Sequence, residues 1–131
     1  VKKVKVLLDT HALLWWWQGN PRLSQAARDI LADPANEVYV SAATAWEVAT
    51  KVRIGKLAEA RNLASRFGDV IVEQGFLHLL ISVEHGLRAG LLKSRHRDPF
   101  DRIIAAQAII NDLEVISTDP SISELGARTL W

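Results

Sequence analysis

The sequence predicts an α/β fold: a three-layer sandwich with a mainly parallel central sheet flanked by helices. Short apolar runs alternate with longer segments of helical period along the chain. The first run, Val4–Leu8, is apolar at Val4, Val6, Leu7 and Leu8, on both faces, as expected of a strand covered on both sides. No repeat, low-complexity tract or linker interrupts the 131 residues, so one domain over 1–131 is expected.

The elements follow in order. After the strand Val4–Leu8, a helix over Ala12–Gln18 is closed by Gly19-Asn20-Pro21. Ser24 caps a helix to about Ala32, and Asp33-Pro34-Ala35-Asn36 is a turn. Val38–Val40 is a second strand. Ser41 caps a helix to about Arg53, with Gly55 just past its end. A helix fits Ala58 to about Val70, although Asp69–Val72 also suits a strand. Phe76–Ile81 is strand-like, Val83–Leu92 helical, and Pro99–Asp112 is the clearest helix, so apolar that it must be nearly buried. Glu114–Ser117 is a strand, and Ala127–Trp131 is a candidate last one.

A hydrophobic fraction of 49% with 24% charged residues is that of an ordinary soluble globular protein. The formal net charge of +1 does not announce a nucleic-acid binder, so any such argument must come from a site. There is no cysteine, which excludes disulfides and thiolate zinc sites. The four histidines lack the close pairing of a helical zinc site. No run approaches the roughly 18 apolar residues of a membrane span. Asp9 and His11 break the apolar start too early for a signal peptide. A cytoplasmic protein without membrane contact is expected.

Parallel strands with right-handed crossovers put every strand C-terminus, and every following helix N-terminus, on one sheet edge, where ligands of such folds bind. Asp9 ends one apolar run, and Asp119 closes Val115-Ile116-Ser117-Thr118. Glu47 is a charge in the second turn of the weakly polar Ala42–Ala49 segment, and Asp98 and Asp101 bracket Pro99-Phe100 at a helix start. Each has an ordinary explanation. Asp98 before Pro99 reads as an N-cap, and Asp101 as an acid favoured in a first turn. Glu47 pairs with Lys51 four residues on, and Asp9 and Asp119 suit caps. Those explanations do not account for the shared edge. Crowded carboxylates repel unless cations neutralise them, and an all-oxygen site favours Mg²⁺ or Mn²⁺ over zinc. Such an ion supports phosphodiester hydrolysis.

Leu7-Leu8-Asp9-Thr10-His11-Ala12-Leu13-Leu14-Trp15, Val40-Ser41-Ala42-Ala43-Thr44-Ala45-Trp46-Glu47, His96-Arg97-Asp98-Pro99-Phe100-Asp101-Arg102-Ile103-Ile104-Ala105-Ala106-Gln107-Ala108 and Ile116-Ser117-Thr118-Asp119 resemble, in order and spacing, the successive motifs of PIN domains. They are most similar to those of VapC-type toxins of toxin–antitoxin pairs. The resemblance implies a PIN-like fold and a metal-binding, catalytic quartet of Asp9, Glu47, Asp101 and Asp119. It makes Asp98 an accessory acid that reaches the metal through water. Ser117 stands where the family often has threonine, a hydroxyl that supports a carboxylate or water. The implied activity is Mg²⁺-dependent cleavage of RNA, with a cognate antitoxin masking the site and a homodimer as the expected assembly.

Around the acids, Thr10 suits either the metal shell or a helix cap, and His11 reads as structural because metal-activated water needs no histidine base. Lys93, Arg95, His96 and Arg97 form a basic loop before Asp98. With Arg102, the loop's Lys93, Arg95 and Arg97 are candidate RNA phosphate-binding residues. Trp15-Trp16-Trp17 cannot all face one core, since consecutive helical residues point about 100° apart. At least one is expected to be exposed, in a protein interface rather than in base stacking. Trp46 is expected in the core. Two other classes compete with the nuclease. A receiver-like phosphoacceptor lacks here its paired early acids and its late lysine, and a catalytically silent binding module would not need all four acids.

Overall fold

The computed structural model describes residues 3–131. The chain forms β1 (Lys5–Leu8), α1 (Thr10–Gln18), α2 (Gln25–Ala32), β2 (Glu37–Ser41), α3 (Ala42–Arg53) and a 3₁₀ turn at Ala58–Ala60. It continues through α4 (Arg61–Ser65), α5 (Phe67–Glu73), β3 (Leu77–Leu79), α6 (Val83–Leu91), α7 (Pro99–Asn111), β4 (Glu114–Ile116), α8 (Pro120–Glu124) and β5 (Thr129–Leu130). The sheet order is β3-β2-β1-β4-β5 and every pairing is parallel. The expected sandwich is the observed one.

β1 lies at the centre, with Leu8 opposite Val40 of β2 and Ile116 of β4. Its side chains alternate between two cores, as strand geometry requires. Val6 and Leu8 pack with Leu13, Leu23, Leu31 and Ile71 on the face covered by α1, α2 and α5. Leu7 packs with Ile104, Ala105, Ala108 and Ile122 on the face covered by α3, α7 and α8. This is why the Val6-Leu7-Leu8 run shows no polar alternation.

Caps set the helix ends close to the expected positions. Ser24 and Ser41 accept from Ala27 N–H and Ala43 N–H. Gly19 closes α1 in the left-handed region at φ 64°, and Asn20 N–H returns to Trp15 O at 2.8 Å.

Three segments depart from expectation. The helix expected over Ala58–Val70 is broken into a 3₁₀ turn, α4 and α5, with the break at Arg66 beside Ser65 and Gly68, both weak helix formers. Residues 69–72 are helical, not a strand. Of Phe76–Ile81, only Leu77–Leu79 pairs, because β3 is an edge strand with a single neighbour.

Candidate functional site

The C-terminal edge of the sheet is assembled by β1 and β4. Their register brings Leu8 beside Ile116, so Asp9 and Ser117 leave the sheet side by side. Asp9 N–H also donates to Ile116 O at 3.2 Å, one ladder bond beyond the paired strands. Asp9 is 5% exposed and caps α1, its Oδ1 accepting from His11 N–H at 3.2 Å. Its Oδ2 accepts from the Ser117 hydroxyl at 2.5 Å. The same Ser117 oxygen accepts from Asp119 N–H at 3.0 Å, and Asp119 Oδ1 caps α8 through Ser121 N–H at 2.9 Å. One hydroxyl therefore sets the spacing of two acids. Burial holds the Asp9 carboxyl above the ordinary carboxylate range. The Ser117 and His11 hydrogen bonds and the His11 charge pull it back, and Asp119 adds to the rise.

Glu47 enters from α3. The expected Lys51 pair exists, Nζ to Oε2 at 2.6 Å, but Glu47 is not a surface residue: it is 6% exposed. Its Oε1 accepts from the Thr10 hydroxyl at 2.7 Å, and Thr10 meets the Thr44 hydroxyl at 3.1 Å. Thr10 thus sits between Thr44 and the Glu47 carboxylate. Sequence reasoning misses Thr44. Thr44 lies three residues before Glu47, on the same helical face, which is the signal that could have found it.

Asp98 is the N-cap of α7, accepting from Phe100 N–H at 2.9 Å and from Asp101 N–H at 3.3 Å. Asp101 stands in the first turn, and no described group donates to its carboxylate. Its carboxyl is pushed up to about 7, first by burial and then by the charges of Asp98, Asp119, Asp9 and Glu47. All five acids singled out in the sequence are thus electrostatic neighbours at one edge. Beside them, Trp46 and Phe100 meet edge to face at 4.6 Å and brace α3 against the start of α7. Trp46 is 54% exposed, contrary to the core position expected of it, because Glu47 takes the inward direction one residue on.

Among the described residues, no three His, Asp or Glu side chains converge on one point as metal ligands do. The donor chemistry nevertheless fits a hard divalent cation. It is all carboxylate and hydroxyl oxygen, and burial together with the neighbouring negative charges already hinders ionisation of Asp101.

The basic loop does flank α7, but its members differ. Lys93, Arg95 and Arg97 project from the loop without the backbone engagement that holds Arg102. Arg102 is not available in the same way. Its guanidinium donates to Ala89 O at 2.9 Å, His96 O at 2.7 Å and Leu92 O at 2.6 Å. Its five fixed N–H donors suit it to gather carbonyls of the end of α6 and of the loop that follows, which is where the structure engages the residue expected to bind phosphate. His96 pairs with Glu124 of α8, tying the loop to the edge that carries Asp119.

The tryptophans divide as helix geometry demands. Trp15 packs edge-on against Trp131, Trp16 packs on Phe76 and donates to Gln74, and Trp17 is 37% exposed. His11 is exposed and lies 6.0 Å from the Trp15 ring, so it belongs to the site's rim, not to the core. No helix among the described residues is long and apolar enough to cross a membrane.

Comparison with known proteins agrees with this architecture. A chain in the crystal structure of VapBC2 from Rickettsia felis bound to a promoter DNA fragment aligns with a TM-score of 0.71 at 14% identity, covering 97% of this chain and 98% of that one. A chain of FitAcB from Neisseria gonorrhoeae gives 0.69 at 19% identity, covering 96% of each. One from a toxin–antitoxin complex of Klebsiella pneumoniae gives 0.60 at 21%, again covering 96% of each. At such identities the likeness concerns the fold. No curated protein matches at a significant level. The model of the PIN domain, however, matches residues 6–127, a span that includes Asp9, Glu47, Asp101 and Asp119, and the chain belongs to the PIN-domain family.

Proposed function

We propose that this chain is a Mg²⁺- or Mn²⁺-dependent endoribonuclease acting as the toxin of a type II toxin–antitoxin pair. The observation that carries the chemistry is the gathering of Asp9, Glu47, Asp98 and Asp119 around Asp101, whose carboxyl is raised to about 7 first by burial and then by their charges. An edge so charged favours a divalent cation and disfavours a phosphodiester without one. Asp9, Glu47, Asp101 and Asp119 would hold the ion, with Asp98 assisting through water while its Oδ1 caps α7. When bound, such an ion polarises a phosphoryl oxygen and makes water a competent nucleophile near neutral pH.

The chain's own contribution is orientation and charge. Ser117 fixes the rotation of the Asp9 carboxylate, and Thr10 that of Glu47. Lys93, Arg95 and Arg97 supply positive charge for the RNA backbone that the whole protein, at net +1, lacks.

The toxin role and an antitoxin partner draw support from the neighbouring structures, one of them described as a toxin–antitoxin complex. Self-association belongs to the same reading, but its support lies away from the tryptophans. Val83, Leu87 and Leu91 form an exposed i, i+4, i+8 stripe on α6, continued by Leu80. Glu84 and Arg88 run beside it one turn apart. Antiparallel packing of two copies of α6 sets each Glu84 near the other copy's Arg88, which makes the face complementary to itself. Gly86 and Gly90 have nothing within 4 Å of an added Cβ and permit close approach.

The test is incubation of antitoxin-free protein with mixed structured RNAs in Mg²⁺, Mn²⁺ or EDTA, beside Asp9→Asn and Asp101→Asn. Metal-dependent cleavage by the wild type alone is expected. Absence of cleavage by folded protein with either metal would reduce the chain to a silent binding module.

A further inference from the structure

A cavity of about 290 Å³ lies at the acid edge, and its lining extends beyond the acids to groups that the proposed catalytic chemistry does not use. Ala12, Trp15, Pro120 and Trp131 line it on one side of Asp9, Ser117 and Asp119, which line it too. The Trp15 and Trp131 rings meet at 72° with centroids 5.6 Å apart, forming a corner of two indoles. A flat ring laid on one indole meets the other from the side. His11 and Thr118 stand at the rim, both exposed.

We propose that this corner is the subsite for one unpaired nucleobase of the RNA, next to the bond that is cut; the inference rests on the ribonuclease reading. The size lies at the small end for ligand pockets, suited to a single nucleoside and too small for a helix or a folded peptide segment. The chemistry separates the two parts of a nucleotide. The base is neutral and flat, so it can stack on indole within a few ångströms of carboxylates that would repel a bare phosphate. Its phosphate is then left at the mouth, where Asp9 and Asp119 are, and the continuing backbone can run toward the basic loop. A base seated here has left its helical stack, so the nucleotide concerned must be single-stranded or flipped out. The exposed imidazole of His11 and hydroxyl of Thr118 can read the edge of the base.

Two measurements test this independently. In EDTA, where no cleavage is expected, tryptophan fluorescence of the wild type is titrated with the four ribonucleosides and with ribose. Quenching by the base-bearing ligands and none by ribose is expected. It should weaken about tenfold or more in Trp131→Ala and persist in Trp131→Phe, which keeps a stacking face should the alanine variant unfold. With Mg²⁺ or Mn²⁺, a cleavable RNA carrying a single abasic nucleotide walked along its length should lose cleavage at one position beside the scissile bond. Equal quenching by ribose, or a flat abasic scan on RNA that the wild type cuts, overturns the base subsite and leaves the nuclease reading standing. An RNA that the wild type never cuts removes the nuclease reading, while the fluorescence titration still decides whether the corner takes a base.

Discussion

Ser117 donates its hydroxyl proton to Asp9 at 2.5 Å across 108 positions of sequence and accepts Asp119 N–H with the same oxygen. The bond is buried, so removing it leaves Asp9 with less solvent to compensate. Ser117→Ala is expected to cost about 1–3 kcal/mol in urea unfolding, and Ser117→Thr much less. If the ion is held as proposed, the alanine variant should also bind Mn²⁺ about 10–100-fold more weakly, as is usual when a ligand loses its outer hydrogen bond. Unchanged stability and Mn²⁺ affinity in Ser117→Ala would remove Ser117 from the site.

Asp101 gives the protein a pH dependence of definite sign. Its folded carboxyl, at about 7, lies above the ordinary value of 3.8, so between these limits the folded state holds more protons than the unfolded one. Stability from this group is therefore lost as pH rises through that window and levels off above about pH 7. Asp101→Asn cannot ionise. In EDTA it should exceed the wild type by about 1–2 kcal/mol near pH 8, after allowance for solvent screening, and converge with it near pH 4. Thermal melts across that range check it. Adding Mg²⁺ at the upper end should stabilise the wild type more than the variant.

Arg102 and its neighbours should separate cleanly by assay. Arg102→Gln withdraws charge-assisted bonds from the Ala89, Leu92 and His96 carbonyls, at about 1.5–3 kcal/mol, and speeds amide exchange across residues 92–98. Alanine at Lys93, Arg95 or Arg97 should leave stability within about 0.5 kcal/mol. RNA affinity, measured with Asp9→Asn to prevent cutting, should fall. The slope of log K against log salt should drop by about 0.7 for each phosphate that no longer meets a cation. The opposite assignment of effects would return Arg102 to the phosphate-binding group.

Leu87, 63% exposed at the middle of the α6 stripe, is the position on which the proposed self-association turns. Leu87→Arg puts a charge at the proposed crossing of two apolar helices and should shift sedimentation from dimer to monomer at micromolar concentration. A wild type that sediments as a monomer removes the dimer proposal.

What is legible in the sequence follows from distance along the chain. Period and caps are local, so Ser24, Ser41, Asp98-Pro99 and the continuous apolar run of β1 can be read directly. The parallel sheet follows from alternation, and one topological rule then carries Asp9 and Asp119 to a common edge. Glu47 illustrates the limit. Its pairing with Lys51 follows from spacing, yet spacing does not say that Glu47 itself turns inward toward Thr10. Trp46 departs from its expected core position for the same reason, since neighbouring helical residues face different ways and only packing selects which one is covered.

Residue order alone thus specified the α/β architecture, the identity of the acids and the edge they share, because hydrophobic period and strand direction are encoded locally. Tertiary packing decided how those acids are held. Ser117 between Asp9 and Asp119, Thr10 on Glu47, Arg102 turned onto its own loop and Trp131 brought to Trp15 all join segments apart in the chain. Their burial and their electrostatics exist only after the two cores have closed on either side of β1.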